Sequence, residues 1–247
     1  MEITTSFKDL CSRTVGEIVA EDYRRASVFE KYGIDFCCGG NKTIKEACEA
    51  RNISCDTIVS ALIAVEEGPS QSPYVDVRSW EPDFLAAYIV NVHHQYVRER
   101  LQPLRQITRT VARVHGDAHP ETVKIADLVD EMAIELEQHL EAEERVLFPY
   151  IERLCAARKN GAPVADVQFD SVHQPVQLME DEHDHVGEIL HRIRALSRDY
   201  ELPEDACNTY RLAYARLEEF EADMHRHVHL ENNILFPAAI RLEREIA

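Results

Sequence analysis

The stretch HLEAEERVLFP at residues 139–149 recurs as HVHLENNILFP at residues 227–237. Both copies read H-x-x-x-E-x-x-[VI]-L-F-P, so each places a glutamate four residues after a histidine. On a helix, residues four apart share one face, with their Cβ atoms about 5–6 Å apart. The repeat therefore predicts two helices that each present an imidazole and a carboxylate side by side.

A further histidine precedes each copy at a similar distance, His94 before the first copy and His183 before the second. Each half of this region thus pairs a helix that carries one histidine with a helix that carries the His–Glu pair. We interpret the pattern as an old duplication of a helical hairpin, packed about a pseudo-two-fold axis. Such hairpins, joined by short loops, indicate an up-and-down four-helix bundle.

The apolar periodicity predicts bundle helices over residues 82–115, 121–158, 176–198 and 203–245. In the second and fourth helices, the histidine and the glutamate of the repeat fall on the apolar stripe that faces the core. These stripes are Leu128, Met132, Leu136, His139, Glu143 and Leu147, and Leu217, Phe220, Met224, His227, Glu231 and Leu235. The core of the bundle is therefore expected to hold two carboxylates and four imidazoles.

Buried carboxylates without partners are very costly, so this group of side chains requires cations. A single ion would leave ligands unused, whereas two ions bridged by both glutamates, with two histidines each, use all six. An oxo or hydroxo bridge would add a fifth donor to each ion and leave one position open. Iron, manganese and zinc all accept such mixed ligands, and iron is our choice because an open, bridged pair suits redox chemistry. The expected ligands are His94, His139, Glu143, His183, His227 and Glu231.

Other histidines near these positions are weaker candidates. His93 competes with His94, but it lies about 100° round a regular helix and leaves the apolar stripe. His225 and His229 flank His227 two residues away on either side, so both are expected to face away from the core.

The composition excludes several classes of protein. The 247 residues include 27 Lys and Arg against 45 Asp and Glu, for a formal net charge of −18. Such acidity argues against nucleic acid or an anionic membrane as a partner. No secretion signal and no apolar run of about 18 residues is apparent, so a cytoplasmic location is expected. The seven cysteines accordingly indicate free thiols rather than a disulfide framework.

Residues 1–67 are expected to form a small helical domain, 68–80 a linker with the turn sequence GPSQSP, and 81–247 the bundle. In the first domain, Thr14 and Glu17 form a capping-box pattern that opens a helix, and Gly33 is a plausible stop. Two shorter helices are expected over residues 43–51 and 56–66. The fold is thus all-α, a four-helix bundle preceded by a small helical domain.

An adjacent pair of cysteines, Cys37 and Cys38, is followed by Gly39 and Gly40. Neighbouring side chains diverge, so the pair is expected to chelate one ion poorly by itself. The flanking glycines allow a tight turn with an exposed backbone, and thiolates are soft, redox-active ligands. Two interpretations stay open. In the first, the two thiols accept iron from the bundle site or reduce it. In the second, they are two small buried side chains at a helix junction.

These motifs resemble the hemerythrin-like (HHE) superfamily, and more closely its repair-of-iron-centres family, which joins a Cys-Cys-Gly-Gly domain to a di-iron bundle. The matches are YGIDFCCGG at residues 32–40, RERL at 98–101, MEDEHD at 179–184 and both copies of the repeat. The resemblance implies two iron ions held by the same four histidines and two glutamates. Oxygen-carrying hemerythrins have a fifth histidine where this chain has Gly187, which argues against simple oxygen carriage. Many members also have a histidine where this chain has Val97.

The resemblance implies a di-iron protein that repairs iron–sulfur clusters damaged by nitric oxide or oxidative stress, by donating iron through Cys37 and Cys38. One alternative is an enzyme that reduces nitric oxide at the open di-iron site, and another is a sensor or storage protein for nitric oxide or oxygen. The expected partners are nitric oxide or oxygen as small ligands and damaged iron–sulfur proteins as acceptors, with the chain itself a monomer or homodimer.

Overall fold

The computed structural model describes residues 7–67, 76–161, 164, 169 and 171–246. Across these ranges the chain is α-helical without any β-strand, apart from a bridge between Thr14 and Thr43, and the predicted all-α class is confirmed. The chain divides into two compact units, Met1–Glu81 with Val228–Ala238, and Pro82–His227 with Ala239–Ala247. The predicted turn sequence at 68–73 lies outside the described residues.

The first unit is built from short helices around a small apolar core that includes Ile18, Phe29, Ile44 and Ile58. Its α-helices span Phe7–Ser12, Val15–Glu21, Ala26–Lys31, Ile44–Arg51 and Cys55–Glu67. Turns of 3₁₀-helix span Tyr23–Arg25, Cys38–Asn41 and Val77–Ser79.

Capping residues define where these short helices begin. Thr14 and Glu17 form the predicted capping box, and Thr43 forms a second one with Glu46. The predicted stop at Gly33 is also observed, since this glycine has a φ of 63°, which favours a residue without a Cβ.

The helix expected between Thr14 and Gly33 is interrupted, which corrects the sequence-based prediction. Asp22 is extended, with φ −155° and ψ 105°, and its carboxylate accepts a hydrogen bond from the N–H of Arg24. It also pairs with the Arg24 guanidinium at 2.6 Å. An aspartate side chain that bonds to a nearby backbone N–H stabilises a non-helical conformation. The spacing of apolar residues does not indicate such an interruption.

Two cysteines are joined, contrary to the expectation of free thiols. Cys11 and Cys55 form a disulfide between the helices Phe7–Ser12 and Cys55–Glu67, 44 residues apart in sequence. Cys37, Cys38, Cys48, Cys155 and Cys207 are free. The spacing of the cysteines does not indicate this pair, because Cys11 and Cys55 meet only through the fold.

Four long helices make up the second unit, except that residues 228–238 of the fourth helix group with the first unit. The first comprises Pro82–Ile89, Val90–His94 and Gln95–His115, and the second comprises Glu121–Ala142, Glu143–Leu147 and Phe148–Asn160. The third spans His173–Leu196, and the fourth runs through Asn208–Leu230, Glu231–Leu235 and Phe236–Ile246. The predicted bundle is thus observed, and no helix of the described chain is both long and apolar enough to cross a membrane.

The limits of the third and fourth helices differ from the predictions. The third helix begins at His173 rather than Val176 and ends at Leu196. The fourth begins at Asn208 rather than Pro203, because residues 203–206 form a separate turn closed by a bond from the Ala206 N–H to the Pro203 carbonyl.

A buried charge fixes the third helix to the fourth. Glu221 is 1% exposed, and its carboxylate accepts hydrogen bonds from Arg194 Nη2 at 2.6 Å and the Tyr200 hydroxyl at 2.9 Å. The Glu221 carboxylate raises the pKa of Arg194, and burial followed by the Glu221 charge raises the pKa of Tyr200. The carboxylate is therefore stabilised chiefly by its cationic partner.

Replacement of Arg194 by alanine is expected to destabilise the bundle by about 3 kcal/mol, because it leaves the buried Glu221 charge without a cation. Thermal or urea denaturation followed by circular dichroism measures the loss. The matched control is Arg192→Ala, an exposed position two residues earlier. Equal stability of the two variants would show that the pair contributes little.

Candidate metal centre

In the described part of the bundle, three wide, π-helical turns interrupt the helices, over Val90–His94, Glu143–Leu147 and Glu231–Leu235. Each of them contains one of the predicted metal ligands. A π turn adds a residue to the helix, redirects the side chains near it and is frequently found at functional sites. A regular period of 3.6 residues cannot indicate such turns in advance.

The proline that ends each copy of the repeat explains two of these turns. Pro149 and Pro237 lie at the second positions of Phe148–Asn160 and Phe236–Ile246. Because proline has no N–H, it cannot donate to the carbonyl four residues earlier, and the regular hydrogen-bond ladder is broken there. The L-F-P ending thus favours the widened turns that hold Glu143 and Glu231.

The structure brings the six predicted ligands together in two groups that share both glutamates. In each group, one potential donor atom per residue lies within 4.8 Å of all the others. All six residues are at most 3% exposed. The groups are His94, Glu143, His227 and Glu231, and His139, Glu143, His183 and Glu231.

The chemistry of this cluster fits metal ions. Within the described chain, neither oxygen of Glu143 accepts a hydrogen bond, although this side chain is fully buried. Its Oε2 lies 3.3 Å from His94 Nε2 and 3.4 Å from His139 Nε2. The Nε2 atoms of His139 and His183 also face each other at 2.9 Å. Carboxylate oxygens and imidazole nitrogens that converge in a dry core are the donors that divalent iron, manganese or zinc binds.

Two further carboxylates contact predicted histidine ligands. His94 Nδ1 lies 2.7 Å from Glu144 Oε1, and His139 Nδ1 lies 2.7 Å from Glu182 Oε2. A carboxylate at Nδ1 keeps the proton on that nitrogen, so Nε2 presents its lone pair to the cluster. Burial raises the pKa of Glu144, but hydrogen bonds from Arg98 and His94 outweigh this, so the pKa lies below its usual value.

The other histidines near the cluster correct two expectations. His93 is only 2% exposed rather than outside the core, because the π turn at Val90–His94 brings it inward. Its Nδ1 lies 3.1 Å from Asp223, and its ring stacks on His227 with centroids 5.5 Å apart, but it belongs to neither ligand group. His229 is 1% exposed and packs against the Phe36 ring at 5.9 Å, whereas His225 is half-buried.

The cysteine pair forms a compact turn around Asp35. Asp35 Oδ1 accepts hydrogen bonds from the N–H groups of Cys37 and Cys38 at 2.9 and 3.1 Å, and Oδ2 accepts one from the Gly39 N–H at 3.0 Å. The two sulfurs are 4.0 Å apart, so the expectation of divergent side chains is wrong. Asp35, Cys37 and Cys38 form a further group able to hold an ion, although Asp35 was not among the predicted site residues.

The Cys37 thiol is held in its neutral form. The hydrogen bond to Cys38, then burial and the negative charge of Asp35, raise the pKa of Cys37 well above its usual value. Binding of a metal to this sulfur therefore requires the loss of a proton.

Comparison with known proteins matches each of the two parts of the chain to a protein family model. Residues 11–66 match the family model ScdA_N, described as a domain of unknown function (DUF542), and residues 85–239 match the hemerythrin HHE cation binding domain. The chain belongs to the repair-of-iron-centres family. This confirms the family predicted from the sequence motifs.

Two curated relatives cover almost the whole chain. The iron-sulfur cluster repair protein ScdA of Staphylococcus haemolyticus is 33% identical over 225 residues, which is 90% of this chain and 95% of ScdA. The iron-sulfur cluster repair protein YtfE of Yersinia pseudotuberculosis is 33% identical over 235 residues, which is 95% of this chain and 100% of YtfE.

Replacement of Glu143 by alanine is expected to lower the bound iron from two ions to at most one per chain, because both groups lose a shared ligand. The metal-free variant should be no less stable than the metal-free parent, because it no longer buries a carboxylate without hydrogen bonds. Metal analysis and thermal denaturation measure the two effects. The control is Glu141→Ala, an exposed position on the same helix, and retention of two ions by Glu143→Ala would refute the shared role.

Replacement of Glu144 or Glu182 by alanine is expected to weaken metal binding by about 10- to 100-fold without changing the number of ions bound at saturation. The reason is that His94 or His139 loses the acceptor that fixes its ring. Competition with a chelator measures the affinity. Glu188→Ala, an exposed position on the same helix as Glu182, is the control, and an unchanged affinity for the Glu144 and Glu182 variants would show that these carboxylates do not orient ligands.

Proposed function

We propose that this chain binds two iron ions in its bundle and donates iron to iron–sulfur clusters damaged by nitric oxide or oxidants. The observation that carries the proposal is the pair of buried ligand groups that share Glu143 and Glu231. The curated names of ScdA and YtfE, which the chain matches over at least 90% of its length, support the repair role. Bound iron supplies both the metal to be transferred and a redox couple.

The residues of the cluster are suited to bind iron and also to release it. Two carboxylates and four neutral imidazoles contribute a total charge of −2, so two ferrous ions leave a small net positive charge on the site. Each group offers four protein donors, and iron accepts up to six ligands, so positions stay open for exchange. Carboxylate ligation also releases iron more readily than a cage of thiolates would.

The cysteine turn is the second part of the proposal. Asp35, Cys37 and Cys38 offer one oxygen and two sulfur donors within 4.8 Å, which is a set that accepts iron. We propose that these thiols relay iron or supply electrons, which is the role that the family resemblance implies. The half-buried Cys38 provides the more accessible sulfur of the pair.

The remaining expectations belong to the same proposal. They are the division into residues 1–67, 68–80 and 81–247, the cytoplasmic location, and nitric oxide or oxygen as a small ligand. The net charge of −18 supports a protein partner rather than nucleic acid or an anionic membrane. The proposal leaves the choice between monomer and homodimer to a measurement of mass in solution.

One alternative is reduction of nitric oxide at the bundle site, which the four-donor groups with open positions favour. Repeated production of nitrous oxide by a Cys37→Ser/Cys38→Ser variant would support this enzyme. Reversible binding without turnover or iron transfer would instead support a sensor or storage protein.

The double variant Cys37→Ser/Cys38→Ser is expected to keep its bundle iron but to transfer less than about a tenth as much iron to an acceptor, because serine hydroxyls bind iron far more weakly than thiolates do. The assay follows recovery of cluster absorbance in a nitric-oxide-damaged [4Fe–4S] protein, alongside the iron content of the donor. Cys48→Ser, a buried cysteine of the same unit, is the control. Transfer at the rate of the parent by the double variant would refute the thiol relay.

A further inference from the structure

An asparagine of the fourth bundle helix occupies a space made by two missing side chains. A Cβ atom added to Gly16 would lie 2.0 Å from Asn233 Oδ1, and one added to Gly40 would lie 2.3 Å from the same atom. Gly16 belongs to the helix Val15–Glu21, and Gly40 to the turn Cys38–Asn41 that follows the cysteines. Both glycines are therefore required for Asn233 to reach its position.

Asn233 is also hydrogen-bonded to the backbone of the cysteine turn. Its Nδ2 donates to the Cys37 carbonyl at 3.1 Å and to the Phe36 carbonyl at 3.3 Å. The same atom lies 3.2 Å from His229 Nδ1. Because two carbonyl oxygens face this end of the amide, the nitrogen and not the oxygen must occupy it.

The position of Asn233 in the repeat makes these contacts specific to one copy. Asn233 follows Glu231 by two residues and lies in the same wide turn, Glu231–Leu235. The equivalent residue of the first copy is Arg145, whose side chain is 75% exposed and pairs with Glu141. The two copies have thus diverged where the second one meets the cysteine turn.

We propose that Asn233 is a positioning residue that fixes the Cys37–Cys38 turn to the helix segment bearing Glu231 and keeps the Cys37 thiol covered. The inference rests on the proposed function only for the role of the thiols in iron transfer. Asn233 itself binds no iron in this account, and its effect is exerted through the backbone of Cys37.

This arrangement predicts a local change in thiol accessibility when the amide is altered. Cys37 is 7% exposed while its carbonyl is held by Asn233. Asn233→Asp keeps the shape of the side chain but places an oxygen against two carbonyls, so it replaces two attractions by repulsion. Asn233→Ala removes the donor without adding a charge, and the two variants are expected to act in the same direction.

The test is the alkylation of each cysteine by iodoacetamide, resolved by peptide mass spectrometry on the folded full-length protein. Alkylation of Cys37 is expected to increase about tenfold in Asn233→Asp and Asn233→Ala, as loss of two hydrogen bonds implies. Cys48 is 2% exposed in the same unit and reports general unfolding. Arg145→Ala is the matched variant in the other copy and is expected to react like the parent.

Cys207 provides an internal standard for the alkylation reaction. It is exposed, and hydrogen bonds from the Tyr210 N–H and from His115 lower the pKa of its thiol to about 7. Its rate should be the same in every variant, which corrects for differences in reagent and protein concentration.

A double-mutant cycle with Gly40 tests the contact from the opposite side. Gly40→Ala in the parent must displace Asn233, because the three nearest atoms to the new Cβ all belong to that side chain. It is therefore expected to increase Cys37 alkylation severalfold. In an Asn233→Ala background the added methyl group has space, so Gly40→Ala should then have little further effect.

The outcomes separate a positioning role from a merely structural one. A rise confined to Cys37 and Cys38, with non-additive effects of the Gly40 and Asn233 substitutions, supports the proposal. Unchanged Cys37 alkylation, or equal rises for Cys37 and Cys48, would overturn it. Neither measurement depends on iron transfer, so a failure of the repair proposal would leave this result intact and a failure here would leave bundle iron binding intact.

Discussion

The burial of two carboxylates in the core of a helical bundle is the constraint on which the rest of this structure depends. Glu143 and Glu231 are both 0% exposed, and within the described chain no hydrogen bond reaches either oxygen of Glu143. Burying carboxylates without partners is very costly, and nearby cations offset that cost. Four imidazoles, the outer carboxylates Glu144 and Glu182, and the wide turns that aim the ligands all serve this arrangement.

The internal duplication explains how one chain builds two groups of potential metal ligands. Each hairpin supplies a lone histidine and a His–Glu pair, and each glutamate belongs to both ligand groups. The copies then differ where they meet other parts of the protein. Arg145 stays in solvent on the first copy, whereas Asn233 of the second contacts the carbonyl of Cys37. The second copy of the repeat thereby contacts the turn that carries the two thiols.

The sequence was sufficient for the bundle and for the clustering of the four histidines and two glutamates, because both depend on periodicity and on a repeat that can be read directly. The sequence was insufficient where the structure depends on local hydrogen bonds or on contacts between residues that are far apart in sequence. Asp22 breaks a helix by capping its own neighbour, a wide turn buries His93, and Cys11 meets Cys55 across the fold. The role of Asn233 is visible only once Gly16 and Gly40 are seen beside it.

The central claim is that six inward side chains hold a pair of iron ions, and X-ray absorption at the iron edge of the fully loaded protein tests it most directly. The account predicts two irons per chain, a coordination shell of nitrogen and oxygen only, and an iron–iron distance of about 3.5–4 Å. A single iron per chain without an iron neighbour, or sulfur in the coordination shell of both ions, would contradict it.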